Sequence, residues 1–128
     1  MLVATCVLAV LAALIHVGIF WLESLAWMRP ETREVFGIAS EHDAQVTRAL
    51  AFNQGFYNLF LAIVTSVGIV LLATGSTAAG AALVYAGCGS MTAAALVLVS
   101  GSRRYARAAA LQGVVPLLAV LALTVSLV

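Results

Sequence analysis

The chain has 128 residues, of which 64% are hydrophobic and only 9% are charged, and its mean hydropathy is +1.14. A soluble domain of this size carries about 25% charged residues, so this chain lacks the charge to cover a water-facing surface. The net charge is +1 and there is no lysine, which excludes a polybasic surface for nucleic acid. The composition therefore predicts an integral membrane protein without a second, soluble domain.

Four apolar runs follow one another along the chain, each long enough to cross a hydrocarbon core of about 30 Å as a helix. The predicted spans are residues 2–27, 46–73, 77–100 and 105–127. Short polar breaks near residues 74–76 and 101–104 separate the last three spans, and short connections make neighbouring helices antiparallel. We therefore predict an all-α membrane fold, with residues 1–128 forming a single bundle of four transmembrane helices.

The arginines predict the orientation of these spans. Three of them lie between spans one and two and three lie at the junction of spans three and four: Arg29, Arg33 and Arg48, then Arg103, Arg104 and Arg107. Neither the connection between spans two and three nor either terminus contains an arginine. By the positive-inside rule, both arginine-bearing loops are predicted to be cytoplasmic and both termini extracytoplasmic.

The first of these loops is the only sizeable polar segment, and it predicts a short interfacial helix from Pro30 to about Phe36. Proline suits the first helical turn, and Gly37 is placed to end the helix. The acids that follow, Glu41 and Asp43, favour the N-terminus of span two. We interpret them as part of a solvated loop and cap, so we predict no metal site, and the sequence indicates no particular cofactor.

Two ionisable residues in span one mark a candidate site. His16, Phe20, Glu23 and Trp27 follow the spacing i, i+4, i+7 and i+11, which places them on one stripe of a helix. A carboxylate or an imidazole facing hydrocarbon is costly, so His16 and Glu23 should face protein or a wet cavity. We interpret His16 as an acid or base and Glu23 as its charge partner, both candidate catalytic residues. The alternative is that they only hold helices together.

Amides in spans two and four extend this candidate site. Matching depths in antiparallel helices places His16 level with Asn58 and Glu23 near Asn53. In span four, Pro116 removes the hydrogen bond to the carbonyl of Gln112 and leaves a free acceptor. We therefore predict a polar cup open toward the cytoplasm. Its predicted ligand-binding residues are Phe20, Trp27, Asn53, Gln54, Tyr57, Asn58 and Gln112.

Span three has small residues at every fourth position. These residues, the small-residue ladder, are Ala78, Ala82, Ala86, Ser90 and Ala94. A ladder of this kind lets helices approach closely, so it packs either inside the bundle or against a second copy in a homo-oligomer. Cys6 and Cys88 both fall inside apolar runs, and we interpret them as buried small hydrophobic residues instead of a disulfide or a metal pair.

A motif in span two carries a resemblance to a known family. Asn53-Gln54-Gly55-Phe56-Tyr57-Asn58 is its most specific part, and the residues around His16, Glu23 and Gln112 add to it. On these residues the chain resembles a family of small bacterial four-helix membrane proteins of unknown function. The resemblance covers essentially the whole chain. It implies four spans and a multi-pass protein of the bacterial inner membrane, and it implies no reaction.

Three functions from different classes remain open. The first, which we favour because several polar groups converge at membrane depth, is binding or transforming a small lipophilic molecule. The second is a small proton-coupled exporter; such exporters have four helices and an essential glutamate in the middle of the first helix, whereas Glu23 lies near the end of its span. The third is a structural accessory subunit that docks through the small-residue ladder.

Overall fold

A computed structural model describes all residues, 1–128, and every regular element in it is a helix. Helix α1 spans Leu2–Phe20 and continues directly into a π-helical segment, Trp21–Leu25. The remaining elements are α2 (Pro30–Phe36), α3 (Glu41–Ala73), α4 (Thr77–Gly101), a 3₁₀ turn (Arg103–Tyr105) and α5 (Ala106–Leu127). The predicted all-α fold class is confirmed.

Four helices are long and apolar enough to cross a membrane. They are Leu2–Leu25, Glu41–Ala73, Thr77–Gly101 and Arg103–Leu127. No more than 33% of the most apolar window of each helix is buried within the chain, so most of this apolar surface needs lipid or another protein to cover it. Length, composition and exposed apolar surface together indicate a membrane protein.

The short helix of the first loop forms where the sequence predicts it. Pro30 occupies its first turn, and Gly37 ends it in the left-handed conformation, with φ of 65°. Ser40 then caps α3, because its hydroxyl accepts the Asp43 backbone N–H at 3.0 Å and donates to the Asp43 carboxylate at 2.7 Å. With 33 residues α3 is about 50 Å long, so it exceeds the thickness of the hydrocarbon core.

The chain divides into two compact units. We call Met1–Ile15 together with Leu61–Val128 the core unit, and His16–Phe60 the motif unit. The core unit contains a cluster of buried apolar residues from all four long helices: Ala9, Ala12, Leu61, Leu72, Ala81, Val84, Cys88, Met91, Ala119 and Leu123. Cys88 is fully buried there and Cys6 is partly buried, and both are free cysteines.

Helices of the core unit approach one another closely at glycine. A Cβ atom added to Gly80 of α4 would lie 2.6 Å from the backbone nitrogen of Leu72 in α3, closer than real Cβ atoms come to backbone. Farther along, the hydroxyls of Tyr85 in α4 and Thr124 in α5 lie 3.0 Å apart, within hydrogen-bond distance. Close backbone contact between small residues is the usual way in which helices associate in lipid.

The small-residue ladder of α4 is not the face that packs into the core unit. Its first three members, Ala78, Ala82 and Ala86, are exposed, and its last two are half-buried. The buried residues of α4 are Gly80, Ala81, Val84, Gly87, Cys88, Met91 and Ala95. Packing of the ladder against a second copy stays a prediction.

Candidate functional site

The π-helical segment that holds Glu23 is the most unusual backbone feature of the motif unit. The N–H of Ala26 donates to the carbonyl of Trp21 at 3.0 Å, which is the i→i+5 bond of a π-helix. Single π-helical turns are rare and occur frequently at functional sites. The segment also ends the regular helix, so the expectation of one helical stripe from His16 to Trp27 is wrong: the α-helix ends at Phe20, and Trp27 lies in the following turn.

Glu23 forms its hydrogen bond with the last residue of the span-two motif. The Nδ2 atom of Asn58 donates to Oε2 of Glu23 at 2.9 Å and also lies 3.1 Å from the Gln54 carbonyl. Asn58 is 6% exposed and Glu23 is half-buried. A carboxylate and an amide from two helices are therefore fixed against each other inside the motif unit.

This pairing corrects the depth match made from the sequence, which placed Glu23 near Asn53 and not Asn58. The match compared Cα positions, whereas every Cα–Cβ bond of a helix tilts toward the helix N-terminus. In antiparallel helices the two side chains consequently lean toward each other along the bundle axis. The register also differs, because a Cβ atom added to Gly55 would lie 3.1 Å from the Cβ of Glu23. Glu23 therefore lies level with Gly55, three residues before the Asn58 to which it is hydrogen-bonded.

Gly55, the third residue of the motif, is where α3 approaches the π-helical segment most closely. A Cβ atom added to Gly55 would overlap the hydroxyl of Ser24 and would lie 3.0 Å from the Ser24 backbone nitrogen. The Ser24 hydroxyl is held in place because it donates to the carbonyl of Phe52 at 2.9 Å. Glycine at this position thus lets the segment that carries Glu23 sit directly against α3.

Aromatic rings form a further contact between the end of α1 and α3. The ring centroids of Phe20 and Phe56 lie 5.1 Å apart at an angle of 73°, which is an edge-to-face arrangement. Phe56 also lies between the rings of Phe52 and Phe60, at 4.9 and 6.2 Å. Phe20, a predicted ligand-binding residue, therefore packs on the span-two motif itself.

Trp27 joins the turn after the π-helical segment to α2 and α3. Its indole N–H donates to the Ala44 carbonyl at 3.0 Å. Its ring lies 5.2 Å from that of Phe36, the last residue of α2. Because the N–H is already used, a contribution of Trp27 to ligand binding would come from its ring.

The other predicted site residues fall into three groups. His16 is almost completely buried, with 1% of its surface exposed. Asn53, Gln54 and Tyr57 are exposed on α3, whose buried face instead follows the spacing 51, 55, 58 and 62. Gln112 belongs to the core unit, whereas the remaining predicted residues belong to the motif unit. The structure thus brings Glu23 and Asn58 together, and the ligand-binding roles of all these residues stay predictions.

A cleft of about 450 Å³ lies beside Glu23 in the motif unit. It is lined by Glu23, Ser24, Leu25, Ala26, Trp27, Met28, Arg29, Pro30, Arg48 and Phe52. Sequence reasoning used Arg29 and Arg48 only to assign orientation and did not connect Phe52 with the site. The sequence did contain one indication that these arginines could belong to the site, because both flank the loop that follows span one. No group of three or more His, Cys, Asp or Glu residues is arranged to hold a metal ion.

Fold and site together define a small all-α protein with four candidate membrane spans, the first and second of which are joined by side-chain hydrogen bonds of Ser24 and Asn58. Residues 10–124 match the family described as "Protein of unknown function (DUF1304)", and the chain belongs to this family. No curated protein and no solved structure matches the chain.

Proposed function

We propose that this protein binds or transforms a small lipophilic molecule at an intramembrane polar pocket that faces the cytoplasm. The observation that supports this most is the hydrogen bond of 2.9 Å between Asn58 and Glu23, whose carboxylate lies in a π-helical turn. A carboxylate in a membrane span is expensive and is usually retained because it has a function. The adjoining cleft of about 450 Å³ is in the size range of small-molecule sites.

In this proposal each polar residue has a chemical role. Glu23 supplies a charge or accepts a proton, and Asn58 orients its carboxylate through the amide N–H. His16, buried seven residues earlier on the same helix, is the second acid or base. The rings of Phe20 and Trp27 form an apolar wall, and Asn53, Gln54 and Tyr57 are the remaining candidate contacts.

The proposal includes a topology, with both termini outside and both arginine-bearing loops in the cytoplasm of a bacterial cell. Single cysteines at Ser76 and Ser102, in a chain with Cys6 and Cys88 changed to Ala, test it. Ser76→Cys should react with a membrane-impermeant thiol reagent on intact cells, whereas Ser102→Cys should react only after lysis. Reversed labelling would place the site on the outer face.

Analysis of bound molecules tests the pocket. The wild-type protein and the variants Glu23→Gln and His16→Ala are purified in mild detergent, and native mass spectrometry and lipid extraction identify what each retains. We expect the wild type to retain a lipophilic molecule that both variants lose while each variant remains folded and abundant in the membrane. Glu34→Gln, an exposed carboxylate on α2, is the matched control and should retain the molecule.

Two outcomes of these experiments would support the alternative functions, the exporter and the accessory subunit. Equal retention by wild type and Glu23→Gln, combined with loss of proton-driven efflux in that variant, would support the exporter. Loss of stability in both variants, with nothing bound to the wild type, would support an accessory subunit. The exposed face formed by Ala78, Ala82 and Ala86 is the surface that such a subunit offers a partner.

A further inference from the structure

The cleft beside Glu23 carries more positive than negative groups. Two arginines line it, Arg29 from the turn after the π-helical segment and Arg48 from α3, and Glu23 is the one acid among its lining residues. One oxygen of that acid accepts the Asn58 amide. Arg48 and Phe52 also line a second hollow of about 390 Å³, so the cleft continues along α3 past Arg48. The charge of the cleft favours an anion.

The geometry of Arg29 leaves its donors available. Its guanidinium carbon lies 5.1 Å from the centroid of the Trp21 ring, a cation–π contact. A stacked guanidinium offers the ring its flat face, so the N–H groups at its edge remain free to form a bidentate contact with an oxyanion. Arg48 is exposed on α3 and lines the same cleft, and the structure gives neither arginine an ion pair within the chain.

The position of the cleft along α1 matches the level of lipid headgroups. The span Leu2–Leu25 has 24 residues, which makes it about 36 Å long, slightly more than a hydrocarbon core of about 30 Å. Its end at Leu25 therefore reaches the polar layer in which lipid phosphates lie. Leu25 and Phe52, which also line the cleft, are 62% and 51% exposed, so the opening has an apolar rim suited to an acyl chain.

We propose that the ligand of this cleft is a membrane lipid with a phosphate headgroup, and that Arg29 and Arg48 bind the phosphate. This inference rests on the proposed function and names its ligand class. The two guanidinium groups, one from the turn after the π-helical segment and one from α3, contact the phosphate oxygens. The acyl chains leave past Leu25 and Phe52, and Glu23 with Asn58 lies at the inner end. Arg29 and Arg48 thus act in binding and are not assigned a part in any reaction.

Three compounds test the ligand class: a lipid with a phosphate headgroup, the same lipid without the phosphate, and the phosphate headgroup without acyl chains. Native mass spectrometry of the purified full-length protein is used to titrate dioleoyl phosphatidic acid, dioleoylglycerol and glycerol 3-phosphate. We expect phosphatidic acid to bind and the other two to bind at least about tenfold more weakly, because each lacks either the charge-assisted contacts or the apolar ones. Equal binding of dioleoylglycerol would overturn the role of phosphate, and equal binding of glycerol 3-phosphate would identify a soluble ligand instead.

Charge-matched variants test the two arginines. Arg29→Gln and Arg48→Gln should each weaken phosphatidic acid binding about tenfold. Arg107→Gln, an exposed arginine at the start of α5 and outside the cleft, removes the same charge and should leave binding unchanged. Melting temperatures show that each variant is folded. If Arg107→Gln weakens binding as much as Arg29→Gln, the attraction is a general effect of charge and the site assignment is wrong.

Glu23→Gln separates this inference from the proposed function. A neutral lipophilic molecule that is lost in Glu23→Gln but retained in Arg29→Gln and Arg48→Gln would overturn the phosphate ligand and keep the pocket. Wild-type protein that binds no lipophilic molecule at all would overturn both. Phosphatidic acid binding that depends on both arginines and is lost in Glu23→Gln supports both. Binding that depends on both arginines but is unchanged or strengthened in Glu23→Gln supports the phosphate ligand and overturns the role of Glu23 in the proposed function.

Discussion

In the core unit the closest helix contact is at a glycine within an apolar core, with a hydroxyl pair at Tyr85 and Thr124, whereas in the motif unit hydrogen bonds and aromatic rings predominate. α3 and α4 approach each other at Gly80 so closely that no Cβ atom fits, and the neighbouring core is apolar. In the motif unit, by contrast, Ser24 and Asn58 form side-chain hydrogen bonds between α3 and the π-helical segment.

The contrast shows that this sequence can pack membrane helices without ionisable groups. In lipid, close contact between small residues supplies the van der Waals energy for helix association. An amide–carboxylate pair is a more demanding way to join two helices, since loss of either partner leaves the other unpaired. Glu23 and Asn58 are therefore the contact on which the proposed function depends most.

The largest effect is expected in the core unit, at Gly80. Gly80→Ala places a Cβ atom 2.6 Å from the Leu72 backbone nitrogen, and backbone cannot move away without separating α3 from α4. We expect the free energy of unfolding to fall by about 3 kcal/mol, at the upper end of overpacking effects. Unfolding by SDS titration, followed by circular dichroism, measures it.

Gly89→Ala in the same helix is the matched control. A Cβ atom there meets nothing within 4 Å, so the substitution should gain up to about 1 kcal/mol from helix propensity. Equal effects of the two substitutions would mean that α3 and α4 do not meet at Gly80, and the description of the core unit by close packing would be wrong.

The lengths of the apolar runs were sufficient to predict the long helices, and two local signals were sufficient to predict the short helix α2. Pro30 and Gly37 define α2 locally, because their preferred backbone conformations match the first turn and the end of a helix. The π-helical segment has no comparable signal. Its residues Glu23 and Ser24 contact residues of α3 that are 28 or more positions away in the sequence, and such contacts do not follow from local sequence.

The candidate site was predicted only in part, because it too depends on contacts between residues that are distant in sequence. The six-residue motif covers more than a full turn of α3, so it cannot lie on one face, and Asn53, Gln54 and Tyr57 are exposed while Gly55 and Asn58 are buried. The cleft could not be predicted because it depends on the turn after Leu25, whose shape does not follow from helical periodicity.

In the motif unit, the largest effect is expected from removing one partner of the hydrogen bond between Asn58 and Glu23. Asn58→Leu keeps the side-chain size but leaves the carboxylate without its amide donor. Hydrogen bonds to charged groups contribute about 1.5–3 kcal/mol, and we expect a loss of about 2 kcal/mol in the free energy of unfolding because Glu23 is half-buried.

A double-mutant cycle isolates this interaction. Glu23→Leu combined with Asn58→Leu removes both polar partners and should destabilise less than the sum of the two single substitutions. Strict additivity would show that the two side chains do not interact, which would remove the main support for a site at the end of α1.

The smallest effect is expected where the two kinds of packing coincide, at Gly55 against Ser24. Gly55→Ala would overlap the Ser24 hydroxyl, which must then rotate away from the Phe52 carbonyl that it binds at 2.9 Å. Losing that hydrogen bond and crowding the Ser24 backbone nitrogen costs more than the gain in helix propensity, so the free energy of unfolding should fall by about 1 kcal/mol.

Ser24→Ala in the same chain removes the overlapping hydroxyl and should restore part of the loss. Gly18→Ala, with open space around its Cβ position in α1, should not destabilise the protein. If Ser24→Ala fully restores the stability lost in Gly55→Ala, the overlap involves the Ser24 hydroxyl alone. If it restores none, the overlap involves the backbone of the π-helical segment, and this contact then resembles the glycine contact of the core unit.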